Sequence, residues 1–282
     1  MEKKTIVITG ASDGIGAAAA MQLKELGHQV IMVGRTEEKT KKLAAKLNVP
    51  YHLADYSRLS DVQRLAEELN GYEKIDVLIN NAGGAFAERK LTEDGLERTF
   101  QVNLLAPFLL TRLLMDKLCQ SSATVIQTAS LGANLLGTDF DVEDLNNEKQ
   151  YSPGKAYGNA KLGDILFTRE LHRRYGAKGI SAVAFEPGIV RSNFGSESVW
   201  FLNFAYHSFL KYLFTISPKK SAKGMVSLAL GTPEKDFVCG ETYRVSGKRF
   251  KVKFKDEDGV IAKRLWEQCD LLSGAILGNK KV

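Results

Sequence analysis

The sequence predicts an α/β protein, a doubly wound parallel sheet with helices on both faces. Three observations carry that expectation. Short apolar, β-branched runs take turns with helical patterns through the first half of the chain, the rhythm of a parallel sheet built from βα units. The first of these runs has no polar residue in it, as a strand covered on both sides requires. A glycine-rich turn leads from that run into the first helical pattern. Right-handed crossovers then put a ligand site at the carboxyl ends of the strands.

Taken in order, Ile6–Ile8 is the first strand and Ala17–Leu26 the first helix, stopped by Gly27. Val30–Val33 is the second strand. Glu37–Leu47 is a charged amphipathic helix that Thr36 can cap. Tyr51–Ala54 reads as a strand, Leu59–Leu69 as a helix and Val77–Ile79 as a strand. Leu96–Leu118 is a long helical stretch that Pro107 should kink or interrupt, because it has no N–H to donate. Thr124–Thr128 is the fifth strand. Residues 131–153 then lose all periodicity, so a long loop inserted at the active site is expected. Lys155–Arg174 is helical, Ser181–Phe185 a strand, and residues 189–216 a second insertion. Ser221–Leu230 is a helix, Thr242–Val245 a strand and Lys263–Leu272 a terminal helix. No linker or repeat divides residues 1–282, which read as a single Rossmann-type domain.

Composition narrows the class. With 44% hydrophobic residues in 282, the chain has enough apolar side chain for a core, which excludes disorder as its main state. Three scattered cysteines, Cys119, Cys239 and Cys269, form no CxxC pair and suit a reducing cytoplasm. The four histidines have no ligand spacing, so no metal is expected. The apolar segment at Thr5–Thr9 is too short for a signal peptide or a membrane span, which also points to the cytoplasm. A net charge of +6 favours anionic ligands without choosing between a phosphorylated cofactor, nucleic acid and lipid headgroups.

The turn reads Thr9-Gly10-Ala11-Ser12-Asp13-Gly14-Ile15-Gly16. Glycines between a strand and a helix let the backbone approach a diphosphate, and the helix start offers it N–H groups and positive potential. A dinucleotide site is the expectation, with Gly10, Ser12, Asp13, Gly14, Ile15 and Gly16 around the diphosphate. Arg35 stands about 20 residues beyond the turn, where the adenosine ribose is read. A guanidinium there suits a 2′-phosphate, so NADP(H) is expected over NAD(H). Asp13 weighs the other way, since it adds negative charge nearby. Asp55 could accept from the adenine amino group or simply form a turn.

Tyr157 and Lys161 stand four apart on a predicted helix and so share one face. A free phenol ionises near 10, too high for a base at neutral pH. A nearby ammonium lowers it, and the pair can then donate a proton to a developing alkoxide or remove one from an alcohol.

With these pieces in place, the sequence resembles the short-chain dehydrogenase/reductases. The family's landmarks occur in its order between residues 9 and 188: TGASDGIG, Asn80-Asn81-Ala82-Gly83, Asn103, Ser130, Tyr157-Gly158-Asn159-Ala160-Lys161 and Pro187-Gly188. The resemblance implies that Tyr157 is the general acid/base and that Lys161 tunes it and binds the nicotinamide ribose. It implies that Ser130 holds the substrate oxygen and that Asn103 holds a water joining Lys161 to solvent. Asn81, Ala82 and Gly83 would line the cofactor trough. Ile189 and Ser192 would meet the nicotinamide carboxamide beyond Pro187-Gly188; the family usually has threonine where Ser192 stands. It also implies a homodimer, paired through the helices that carry Asn103 and the Tyr157–Lys161 pair. Asp144-Leu145-Asn146, Leu166-Phe167-Thr168-Arg169-Glu170-Leu171 and Pro187-Gly188-Ile189-Val190-Arg191-Ser192 are similar to the retinol-dehydrogenase-like branch. That branch prefers NADP and acts on lipophilic carbonyls and alcohols. Many of its members carry an N-terminal membrane anchor, and none is read here.

The expected activity is hydride transfer between nicotinamide and a lipophilic carbonyl or alcohol. The alternative is a non-catalytic NADP(H)-binding sensor or scaffold, although such proteins typically lose the tyrosine or the lysine. The aromatic run Val199–Ile216 reads as a substrate lid, with packing and membrane-surface contact as rivals. Arg249–Lys255 alternates strictly and reads as a lysine-guarded edge strand. Nucleic acid is not an expected partner, because no nucleic-acid fold signature accompanies that strand.

Overall fold

In the computed structural model, residues 2–137, 139–190, 215–276 and 278 are described. Seven parallel strands form one sheet in the order β3-β2-β1-β4-β5-β6-β7. They are β1 Thr5–Thr9, β2 Gln29–Gly34, β3 Tyr51–Leu53, β4 Val77–Asn80, β5 Thr124–Thr128, β6 Ser181–Glu186 and β7 Thr242–Arg244. Ile6, Val7 and Ile8 are wholly buried, and each such side chain contributes roughly 1.5–3 kcal/mol relative to exposure. Strand order reverses between β1 and β4, which opens a crevice at their carboxyl ends.

Helices cover both faces. One layer holds α1 (Gly14–Glu25) and α2 (Glu37–Leu47), together with α9 (Pro218–Leu230). The other holds α3 (Leu59–Asn70), α5 (Ala106–Leu113), α8 (Pro153–Tyr175) and α10 (Val260–Ile276). Short helices α4 (Arg98–Phe100), α6 (Met115–Gln120) and α7 (Gly132–Leu135) complete the described set. None of the described helices is long and apolar enough to cross a membrane.

In the second layer, α10 lies against α5 and α8. Trp266 of α10 packs edge-on to Phe108 of α5 at 5.1 Å and tilted against Phe167 of α8 at 5.6 Å. Its indole nitrogen donates to Asp270 at 2.9 Å, and Arg112 reaches the same carboxylate at 2.9 Å. α10 thus contacts both helices through one indole.

One expectation is met and two need correction. Pro107 interrupts its helix. The proline ring would clash with the Asn103 carbonyl four residues back, and the chain widens into a π turn over Gln101–Leu105 before α5 begins. The loop 131–153 contains the short helix α7. Beyond it, Asp141 and Asp144 fold the chain by accepting from the N–H groups of Glu143 and Glu148 at 2.9 and 2.7 Å.

Arg249–Lys255 is not a strand. Its alternation survives as burial, with Phe250 buried, Val252 and Phe254 half-buried, and the lysines exposed. Only Arg249 bridges back to Tyr243. β7 is three residues long, and the chain doubles back beside it only as far as Phe250, whose N–H donates to the Thr242 carbonyl at 2.7 Å. The Asn134 side chain takes the place of a neighbouring strand instead. It donates to the Lys251 carbonyl and accepts from the Lys253 N–H, both at 2.8 Å.

Candidate active site

The floor of the site is built by packing backbone against backbone. Gly10 adopts φ +64°, and a Cβ there would stand 2.9 Å from the Ala82 Cα. A Cβ on Gly16 would stand 2.4 Å from the Gly10 carbonyl oxygen. Thr9 joins the ends of β1 and β4, its hydroxyl accepting from the N–H groups of Asn81 and Ala82 at 3.0 Å each. Asn81 returns the contact by donating to the Thr9 carbonyl at 2.9 Å. Asn81 thus holds the trough wall together, while Ala82 and Gly83 follow it along the rim. Asp13 caps α1 by accepting from Gly14 N–H at 2.7 Å. The N–H groups of Ile15 and Gly16 precede the first intrahelical donor, Ala17 N–H, and face the turn with the positive end of the helix. Ser12 is half-buried in the same turn.

Arg35 follows β2 and is exposed. Lys39, one turn into α2, brings its ammonium to 3.9 Å from Asp13. Sequence reasoning missed Lys39. Its charge offsets the carboxylate that spoke against a 2′-phosphate, and its place in the first turns after Arg35 was the available signal. Asp55 forms a turn, accepting from the N–H and hydroxyl of Ser57 at 3.0 and 2.7 Å.

At the other end, β5 delivers Ser130 and α8 delivers Tyr157 and Lys161. Ser130 and Tyr157 are joined by a side-chain hydrogen bond, and the Ser130 hydroxyl accepts from Gly132 N–H at 3.1 Å. Burial pushes the Tyr157 phenol above its ordinary value. The Lys161 charge and the Ser130 hydrogen bond oppose that, while Asp164 and Glu186 add to it. The Lys161 ammonium donates to the Thr128 carbonyl at 2.8 Å and to Asp164 at 3.0 Å.

The Asn103 side chain is wholly engaged by the backbone around it. It sits in the π turn, 1% exposed, with both side-chain groups bound to backbone. Its amide donates to the carbonyls of Gly84 and Thr99 at 2.8 and 2.9 Å, and its oxygen accepts from Gly84 N–H at 3.0 Å. Here it anchors the Gly83–Gly84 segment over Lys161. A Cβ on Gly83 would fall 2.6 Å from the Asn103 oxygen and 3.6 Å from the Lys161 nitrogen.

Beyond β6, Gly188 takes φ +74° and donates to Glu186 at 2.8 Å, and the Pro187 carbonyl accepts from Ser221 at 2.9 Å. Ile189 is 41% exposed beside the site. Ser192, and all of the expected lid up to residue 214, lie outside the described residues.

A family model described as "short chain dehydrogenase" matches residues 4–199. The chain belongs to that family. Among its relatives, this short-chain dehydrogenase is 37% identical over 273 residues to the Streptomyces sp. (strain C5) protein named "Putative daunorubicin C-13 ketoreductase DnrU", covering 94% of this chain and 90% of the other. It is 35% identical over 291 residues to mouse retinol dehydrogenase 13, covering 98% and 85%. These likenesses put it in the retinol-dehydrogenase-like branch and make it an oxidoreductase of the short-chain type. A solved structure of a protein from Mycobacterium Paratuberculosis superposes with a TM-score of 0.75 at 29% identity, covering 96% of this chain and 93% of that one.

The residues fit a nicotinamide dinucleotide. Gly10 and Gly16 pack directly against Ala82 and each other, so no side chain stands between the turn and the N–H groups at the start of α1, where an anion is favoured, and the Lys39 ammonium stands 3.9 Å from Asp13 beside it.

Proposed function

We propose that this short-chain dehydrogenase is an NADP(H)-dependent reductase of lipophilic aldehydes or ketones, working in reverse as an alcohol dehydrogenase. The convergence of Ser130, Tyr157 and Lys161 at the carboxyl ends of β5 and α8's first turns carries this reading. Gly10, Ser12, Gly14, Ile15 and Gly16 would hold the diphosphate. Arg35 and Lys39 would hold the 2′-phosphate, and Lys161 the nicotinamide ribose. When bound, the cofactor supplies or accepts the hydride. Ser130 is placed to hold a carbonyl oxygen and stabilise its developing charge. Tyr157 is placed to give that oxygen its proton, and the Lys161 charge eases the loss. Retinol and daunorubicin, the compounds in the relatives' names, are both lipophilic, in keeping with the aromatic run at Val199–Ile216.

Following NADPH oxidation across a panel of aldehydes and ketones that includes retinal tests the proposal. Turnover is the expected result. Tight NADPH binding with no carbonyl reduced would favour the sensor reading instead.

The raised phenol fixes the sign of the pH dependence. Reduction needs the protonated phenol, so it should hold through neutral pH and fall as pH rises through the Tyr157 ionisation. Alcohol oxidation needs the phenolate and should rise over the same range. Rate profiles in both directions check this.

Arg35→Glu should lower kcat/KM for NADPH relative to NADH by at least about tenfold, the worth of one charge-assisted contact. A ratio that does not change would remove Arg35 from the cofactor site.

A further inference from the structure

We propose that Asp164 is a positioning residue for proton transfer, its carboxylate holding the Lys161 ammonium and offsetting part of the charge that Lys161 turns on Tyr157. The inference rests on the reading of Tyr157 as the proton donor. Asp164 stands three residues after Lys161 on α8, on the face turned inward. Its Oδ2 lies 3.0 Å from the Lys161 nitrogen, and the two side chains are 2% and 5% exposed. The other oxygen, Oδ1, is buried with no hydrogen-bond partner among the described residues. A carboxylate kept for stability would be expected to have both oxygens satisfied, since an orphaned buried acceptor is costly. This one has a single partner, and that partner belongs to the site.

Two buried charges of opposite sign beside a phenol act against each other. Lys161 favours the phenolate, and Asp164 disfavours it. The charged groups acting on Tyr157 are these two from α8 and Glu186 from β6, with Ser130 at the end of β5 as hydrogen-bond partner. Glu186 is turned back on the Gly188 N–H, which leaves Asp164 as the carboxylate coupled directly to the lysine. Burial pushes the Asp164 carboxyl up to about 6, and the Lys161 ammonium 3.0 Å away favours its ionised form. The protein thereby sets the acidity of its proton donor with a counter-charge on the same helix.

The test uses Asp164→Asn, which keeps shape and an acceptor for Lys161 but removes the charge, and Asp164→Glu, which keeps the charge. Tyrosinate absorbance is titrated with NADP⁺ bound, and the matching Tyr157→Phe background is subtracted to isolate Tyr157. The Asn variant should ionise lower by on the order of one pH unit, and its carbonyl-reduction profile should fall off correspondingly earlier. The Glu variant should stay near wild type. An Asn variant that melts lower but keeps the wild-type midpoint would show a purely structural ion pair and overturn the proposal. Wild type that reduces no carbonyl, with the midpoint still shifted by Asp164→Asn, overturns the functional reading and leaves the electrostatic coupling standing.

Discussion

Replacing Tyr157 by phenylalanine is expected to lower kcat by roughly 10²–10⁴-fold, the range supplied by a positioned general acid, with NADPH affinity little changed. The substitution removes one oxygen. The ring keeps its place beside Gly132, whose Cβ position lies 3.1 Å from it, so the fold has no reason to move. Ser130 then loses its hydrogen-bond partner but still accepts from Gly132 N–H. What disappears is the proton source. A fall in kcat with NADPH titrating normally would assign that role to Tyr157. Equal turnover by both proteins would place the acid elsewhere and undo the assignment.

Trp266→Ala should cost about 3–5 kcal/mol, as large aromatic truncations in a core do, and lower Tm by roughly 10 °C in a chain of this size. Trp266 is 2% exposed and touches Phe108, Phe167 and Tyr175. The Arg112 and Arg174 guanidiniums stand 5.4 and 4.9 Å from its ring. Truncation leaves a cavity at the centre of that cluster and takes one partner from Asp270. Trp266→Phe should lose much less, because it refills most of the volume. Thermal denaturation of the three proteins decides this. If the alanine variant melts with wild type, α10 contributes little to the α5–α8 seam.

The site was legible where chemistry needs a particular residue type at a fixed place. Gly10 and Gly16 stand out because no side chain fits where the turn crosses Ala82. Tyr157 and Lys161 stand out because helical spacing puts them on one face. What stayed hidden depended on contacts between distant segments. Nothing in the spacing of Asn103 says that its side chain will bind both the N–H and the carbonyl of Gly84. Nor does the lysine alternation after Arg249 reveal that one asparagine, Asn134, will meet it in place of a strand. Asp164 was not singled out, although it is a carboxylate three residues past Lys161 on the same helix.

The two ends of the second insertion are tied together. Val190 and Ile216 form a parallel bridge, and Ile216 N–H donates to the Ile189 carbonyl at 2.9 Å. Whatever the chain does between them, it leaves and re-enters the body at one point. The stretch can therefore be exchanged like a cassette. Swapping in the corresponding segment of a relative would keep the Val190–Ile216 closure and ask nothing of the sheet.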